Sequence, residues 1–401
     1  MKKFPFLIVM LIAGVVAITS CEKGAKLYDV SITAFYPEGY ADEKVADQDI
    51  VVKNTLSGIE VTVTTDATGV AQAALEEGTY TIQASAETDD YYFNGITENL
   101  TVQPEVANNW EIHLVASSKG GGLVFKEIYY TGSKTPEGSN YYSDQFHEIY
   151  NNSDEVIYLD GVCIALTWPL GSSPTEFVNQ DGSIMDRIPC YFHTLMFPGT
   201  GTDYPLEPRT SVVLAMDAID HQTDPLGNPN SPVNLANAQF EAYIEAPGRD
   251  TDAPQADNMI VIYTTSSTMI DWLHSVFGQA VILFRLPTGL DWQTFVANPD
   301  NFMTRPGSTS TTEYMMVDKS WVIDGVECNR TEEDKRFKRL PTSVDAGWVW
   351  SLATYNSKSV RRKVAEILDG KVIYKDTNNT TNDFINDQDP TPFVNPSVVD
   401  N

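Results

Sequence analysis

At 401 residues the chain is long enough for two to three domains of roughly 100–200 residues each, with sizeable cores. Its formal net charge is −29, from 26 Lys and Arg against 55 Asp and Glu. Such a surface repels phosphate and anionic lipid and argues against a nucleic-acid partner, while a hydrophobic content of 42% is too high for a disordered chain.

The first 20 residues have the order of an export signal. Lys2-Lys3 is basic, residues 4–16 are apolar, and Ile18-Thr19-Ser20 precedes Cys21. A small residue before a cysteine at this distance resembles a bacterial lipobox; an ordinary secretory signal with an incidental cysteine is the alternative. The resemblance implies cleavage after residue 20 and lipidation of Cys21. Loss of Lys2 and Lys3 would then take the net charge from −29 to −31. No later stretch holds the ~18 consecutive apolar residues of a membrane span, so the expected anchor is lipid and the body aqueous. Residues 21–27 read as a tether.

Residues 28–117 are strands and turns. Residues 30–34 alternate, and residues 49–54 and 59–64 are β-branched runs split by Leu56-Ser57-Gly58. Thr65-Asp66 with Gly69 marks a turn, residues 70–75 a strand, Glu77-Gly78 a tight turn and residues 79–82 another strand. With strands at 99–102 and 110–115, about seven strands would make a sandwich. Thr65, Asp66 and Gly69, followed by Leu75, Gly78, Tyr80 and Ile82, resemble the T-D-x-x-G and L-x-x-G-x-Y-x-I pattern of transthyretin-like (carboxypeptidase-regulatory-like) domains. The resemblance implies a non-catalytic spacer or interaction module.

Residues 118–122 (SKGGG) read as a flexible joint, and residues 123–401 as a second domain. Strands are expected at 123–130, 146–150 and 156–159, then within 206–216, 259–263, 280–286 and 321–326. Residues 270–277 read as a short helix ended by Gly278, and residues 331–340 as a charged helix or loop. Residues 167–204, 222–256 and 287–318 read as loop-rich insertions. The motif set Phe125-x-Glu127-Ile128, Phe146-x-Glu148-Ile149-Tyr150-Asn151 and Leu159-x-Gly161-x-x-Ile164 resembles the lamin-tail domain, an Ig-like β-sandwich. Gly278 to Phe284, the strand after Trp321, and Arg361-Arg362 with Asp376, Asp383-Phe384 and Pro390 resemble its later marks. The expected fold is therefore all-β, two β-sandwiches in series. The whole order resembles a family of uncharacterised Bacteroidetes lipoproteins, which implies an outer-membrane setting and association with TonB-dependent transport systems.

Two carboxylates stand out. If the Phe125-x-Glu127-x-Tyr129 and Phe146-x-Glu148-x-Tyr150 strands pair in register, Glu127 and Glu148 sit ~5 Å apart on one sheet face. Either one pKa then rises or a cation, Ca²⁺ for instance, lies between them; Asp160 and Asp154 are nearby additions. The alternative is that each glutamate bonds backbone donors or a lysine such as Lys126. Residues 376–387 (DTNNTTNDFIND) supply further oxygen ligands, Asp376 and Asn378 among them, without the spacing of an EF-hand loop. Five dispersed histidines form no metal-binding spacing, and nucleophile-elbow, P-loop and dinucleotide patterns are absent. Cys163, Cys190 and Cys328 read as buried small hydrophobes or as one disulfide and a thiol. Tyr91-Tyr92-Phe93, Tyr129-Tyr130, Tyr141-Tyr142 and Trp348/Trp350 are core or an exposed rim for a glycan, a haem-like ligand or a protein. Arg361-Arg362-Lys363 reads as a solvated strand edge. No catalytic residue is assigned. The expectation is an accessory binding or interaction component, with a structural or adhesive lipoprotein, and then a hydrolase using the inserted loops, as alternatives.

Overall fold

Apolar–polar alternation builds the first eight strands of the computed structural model: β1 (Leu27–Phe35), β2 (Asp49–Asn54), β3 (Glu60–Thr64), β4 (Val70–Glu76), β5 (Gly78–Glu87), β6 (Tyr91–Val102), β7 (Asn108–His113) and β8 (Val115–Ser118). The structure describes residues 26–400 apart from 38–39, 41–42, 89–90, 105, 119–120, 172, 246–247 and 333–334. Cys21 and the leader lie outside the described residues, as do Lys119 and Gly120 of the joint. Strands order as β4-β1-β7 in one sheet and β3-β2-β5-β6-β8 in the other. Val30, Ile32 and Ala34 from one sheet meet Ile50, Val52, Ile82 and Phe93 from the other in a core of their own. The Asp66 carboxylate accepts the Thr68 N–H at 2.8 Å, and Gly69 closes that turn at φ 74. Gly78 serves differently. Its backbone is not left-handed, but a Cβ there would come 3.0 Å from the Asn54 side-chain nitrogen.

The later main strands are β9 (Leu123–Tyr129), β10 (Phe146–Asn151), β11 (Val162–Thr167), β12 (Arg187–Met196), β13 (Ser211–Ala215), β14 (Ile260–Thr264), β15 (Ala280–Arg285), β16 (Glu313–Asp318), β17 (Val322–Arg330), β18 (Ser359–Arg362) and β19 (Phe384–Gln388). One sheet orders β13-β10-β9-β18-β19, extended beyond β13 by Phe240–Glu241 and Asp257–Asn258. The other orders β16-β12-β11-β15-β17, flanked by Phe302–Thr304 and Val349–Ser351, with β14 also paired to β12. Phe125, Ile128, Ile149, Ile164, Leu283 and Val326 fill the space between them. Every residue of β9 and β10 is buried, because the outer face of their sheet is covered too. Val233 and Leu235 of the long insertion pack on Tyr129, Phe146 and Val213. The hairpin of Val364–Leu368 and Lys371–Tyr374 packs on Val124 and Tyr150.

Three expectations change. Residues 167–204 are not merely a loop, since they hold β12, ten residues long and central to its sheet. Pro189 and a left-handed Phe192 (φ 58) break the alternation that would have announced it. Residues 270–277 are not helical. Trp272 and His274 both point inward at the two-residue spacing of extended chain, and the His274 N–H is taken by the Gln145 side-chain oxygen at 3.0 Å. The described α-helices are instead Trp292–Ala297, N-capped by Asp291, and the single turn Thr380–Asp383. Third, Arg362 is not a solvated edge residue: it is 1% exposed.

Candidate functional site

Glu127 and Glu148 are brought together. They are direct partners in the antiparallel β9–β10 register, which then slips so that Ile149 faces Phe125. Lys126 is the extra residue of that bulge. The bulge has two consequences for the repeated F-x-E-x-Y pattern. Phe125 faces the inter-sheet core while Phe146 faces the outer layer. Lys126 turns onto the same face as the glutamates, where its Nζ lies 2.7 Å from Glu148 Oε1 with both side chains fully buried. The cation that opposed carboxylates call for is therefore an ammonium of the chain itself. Ser211 Oγ donates to the same Glu148 oxygen at 2.6 Å.

Glu127 is held from the far end of the sequence. Ser359 Oγ donates to it, and Thr391 donates its N–H at 3.1 Å and its hydroxyl at 3.2 Å. Burial pushes the Glu127 carboxyl up to about 7 against these donors, and Glu148 adds to the rise. Burial also raises Glu148, with Lys126 opposing. The ammonium thus pairs with Glu148 alone, and Glu127 keeps its proton up to about neutral pH.

The other proposed metal ligands do not join this centre. Asp160 accepts the N–H groups of Gly201, Asp203 and Tyr204, each at 2.9 Å, and shapes that loop. Asp154 pairs with Arg209 at 3.2 Å. Asp376 pairs with Arg362 at 3.0 Å, and Asn378 takes a left-handed turn at φ 51. Among the described residues no three His, Cys, Asp or Glu side chains converge as a metal cage. The residues of the closing motif do converge, around Arg362. Its guanidinium donates to Asp324, Asp376 and the Phe125 carbonyl, lies 3.9 Å from Asp383, and sits over the Phe384 ring at 4.8 Å. Asp324 on β17 also accepts the Phe125 N–H of β9 at 2.7 Å, so this cluster bolts one sheet to the other.

Two buried centres carried no sequence signal. His147 and His274 are 127 residues apart, yet their rings meet, Nε2 to Nδ1, at 3.0 Å. His274 Nε2 faces the Gln279 carbonyl at 2.8 Å, so it holds the proton there and its Nδ1 accepts from His147 Nε2–H. Burial lowers both rings, His274 to about 4, and keeps them neutral. Arg339 and Glu327 form a fully buried pair at 2.7 Å. Glu327 also accepts the N–H groups of Arg339 and Leu340, while Arg339 reaches the carbonyls of Pro169 and Gly171. Cys163, Cys190 and Cys328 are free and buried, and Tyr129 and Tyr130 are core residues.

Open concavities lie on the inserted loops. A cleft of about 430 Å³ is lined by Asp217, Asp220, Asp224, Asp250 and Asp252, with Arg249 beside them. Burial pushes Asp217 up to about 7, and Asp250 and Asp271 add to the rise. A groove of about 630 Å³ runs between residues 243–245 and the start of β14.

Fold and site define an all-β protein of facing sheets in which Lys126–Glu148, Arg339–Glu327 and Arg362 with its aspartates are wired to the scaffold. Residues 207–391 match the family described as "Protein of unknown function (DUF4876)". The chain is similar to the crystal structure of a DUF4876 family protein from Bacteroides thetaiotaomicron VPI-5482, at 28% identity and a TM-score of 0.62, over 92% of this chain and 99% of that one. No curated protein matches the chain.

Proposed function

We propose that the chain is a lipid-anchored protein of the outer membrane that binds rather than catalyses, working as an accessory to an envelope partner such as a TonB-dependent receptor. The observation that carries the non-catalytic part is how four clusters of buried titratable groups are committed. Lys126–Glu148, Arg339–Glu327, Arg362 with its aspartates, and His147–His274 each bond backbone or one another. They act as struts within the packing. The lipid anchor rests on the basic, apolar and small-residue order ending at Cys21.

The division into a transthyretin-like unit over residues 28–117 and a lamin-tail-like unit over 123–401 belongs to the same proposal. The Asp66–Gly69 turn supports the first, and the convergence of Arg362, Asp376, Asp383 and Phe384 supports the second. A structural or adhesive role is the second reading, favoured by Leu56, Ile59 and Val61, which are exposed together at the β2–β3 hairpin. Expression of the chain and of Cys21→Ser with a labelled fatty acid tests the anchor. The expected result is label and membrane fractionation for the first and neither for the second; equal fractionation of both would remove the anchor from the reading.

A further inference from the structure

Four exposed apolar side chains gather at one end of the first sandwich. Leu27 opens β1 opposite Glu76, the last residue of β4. Asn54, the last residue of β2, lies opposite Tyr80 of β5, and the Thr55 N–H donates to the Thr79 carbonyl at 2.9 Å. Gly78 lies opposite Val102, the last residue of β6, and Asn108, the first residue of β7, lies opposite Val30. The start of β1, the β2–β3 hairpin, the β4–β5 turn and the β6–β7 loop are therefore neighbours. At that end Leu27 is 56% exposed, Leu56 96%, Ile59 65% and Val106 54%. Apolar residues scattered singly over a surface need no account, but four gathered at one end mark a contact surface.

We propose that this end of the sandwich docks on the membrane, with Leu56 and Ile59 at the hairpin tip entering the headgroup–acyl boundary of zwitterionic lipid. The inference rests on the lipid-anchor reading above and gives the anchored chain an orientation. Cys21 precedes Leu27 by six residues, which span ~20 Å at most. A lipid on Cys21 therefore holds the apolar end within that reach of the bilayer, nearer than any distant adhesive partner. The second unit joins at the opposite end, where β8 pairs with Tyr91 to Asn94 of β6 and the Asn94 amide donates to the Thr377 carbonyl. Docking thus points the hairpin at the lipid and holds the second unit away from it. Glu60, Glu76 and Glu77 outweigh Lys26 and Lys53 at the docking end, so apolar burial and not attraction to anionic lipid makes the contact.

The full lipidated chain, reconstituted into phosphatidylcholine vesicles, tests this with a nitrobenzoxadiazole probe on Ser57→Cys. Ser57 is exposed in the hairpin, and Cys163, Cys190 and Cys328 are buried away from the label. Blue-shifted emission is expected, with quenching by phosphatidylcholine that carries a nitroxide near the top of its acyl chain. The same probe on Ala67→Cys, in the exposed turn at the opposite end, should stay water-like and unquenched. Leu56→Ser combined with Ile59→Ser, both at the surface, should return the hairpin probe to water-like emission while the chain stays in the vesicles. The proposal is overturned if the two probes emit alike. It is also overturned if the hairpin probe is blue-shifted but the nitroxide lipid does not quench it, which would give the patch to a second copy of the chain. Wild type should take no label, because lipid blocks the Cys21 sulfur. Labelled wild type would sink the anchored reading and docking with it, whereas unlabelled wild type with a water-like hairpin probe sinks docking alone.

Discussion

Glu127→Gln isolates the charged centre under β9. In the native protein the carboxyl titrates at about 7 against an ordinary 4.5, chiefly through burial. Between those values the folded chain keeps a proton that the unfolded chain has released. The contribution is therefore full below about 4.5 and lost as pH rises through about 7. The gap is worth roughly 3 kcal/mol at 1.36 kcal/mol per pH unit. Glutamine fits the same contacts: its oxygen accepts from Thr391, and its amide donates to Ser359 Oγ, whose own hydrogen turns to the Gln388 carbonyl at 3.4 Å. Urea unfolding of both proteins across pH 5 to 8 should show wild type losing stability with rising pH relative to the variant. The difference should approach ~3 kcal/mol, or roughly 6–12 °C in melting temperature. Parallel profiles for the two proteins would refute the reasoning, because they would mean that Glu127 is charged at no cost in the native state.

Lys126→Met should cost ~3–5 kcal/mol by urea unfolding, since it leaves Glu148 charged and unpaired, and adding Glu148→Gln should restore part of that. His274 titrates at about 4 against 6.5, so its contribution is present above 6.5 and lost as pH falls through about 4. His274→Gln should flatten that acid-side loss by up to ~3 kcal/mol in the same assay. Added Ca²⁺ should raise the melting temperature of wild type no more than that of Glu148→Gln, because the Lys126 ammonium already pairs with Glu148; a larger rise in wild type would return that pair to the metal ligands.

The all-β class was legible because residues 28–117 and most strands after Leu123 carry period-two alternation or β-branched runs. The β9–β10 register was legible from two like strands near in sequence. The bulge was not: a single extra residue leaves no compositional mark, yet it decides that Lys126 faces Glu148 and that Phe125 turns from Glu127. Arg362 read as surface because a strand arginine beside Arg361 and Lys363 has the composition of an edge, and its aspartates at 324, 376 and 383 are distant in the chain. The His147–His274 contact and the Thr391 cap share that origin, since both are made by tertiary closure. Residues 270–277 misled because their apolar spacing suits a helix, whereas Gln145 captures the backbone at His274 in extended form.

The cap on Glu127 also dictates an order of assembly. Thr391 follows Glu127 by 264 residues, whereas Lys126 and Glu148 are 22 apart. A chain growing from its N-terminus can pair β9 with β10 early, but the other edge of β9 waits for β18, and Glu127 waits for the segment beyond β19. Until then the opening strand of the unit presents an unmet ladder edge and an unfilled carboxyl to whatever surrounds it. Closure of this sandwich is thus a late, long-range event: a chain stopped short of residue 391 leaves Glu127 without its Thr391 donors, and one stopped short of β18 leaves an edge of β9 unpaired as well.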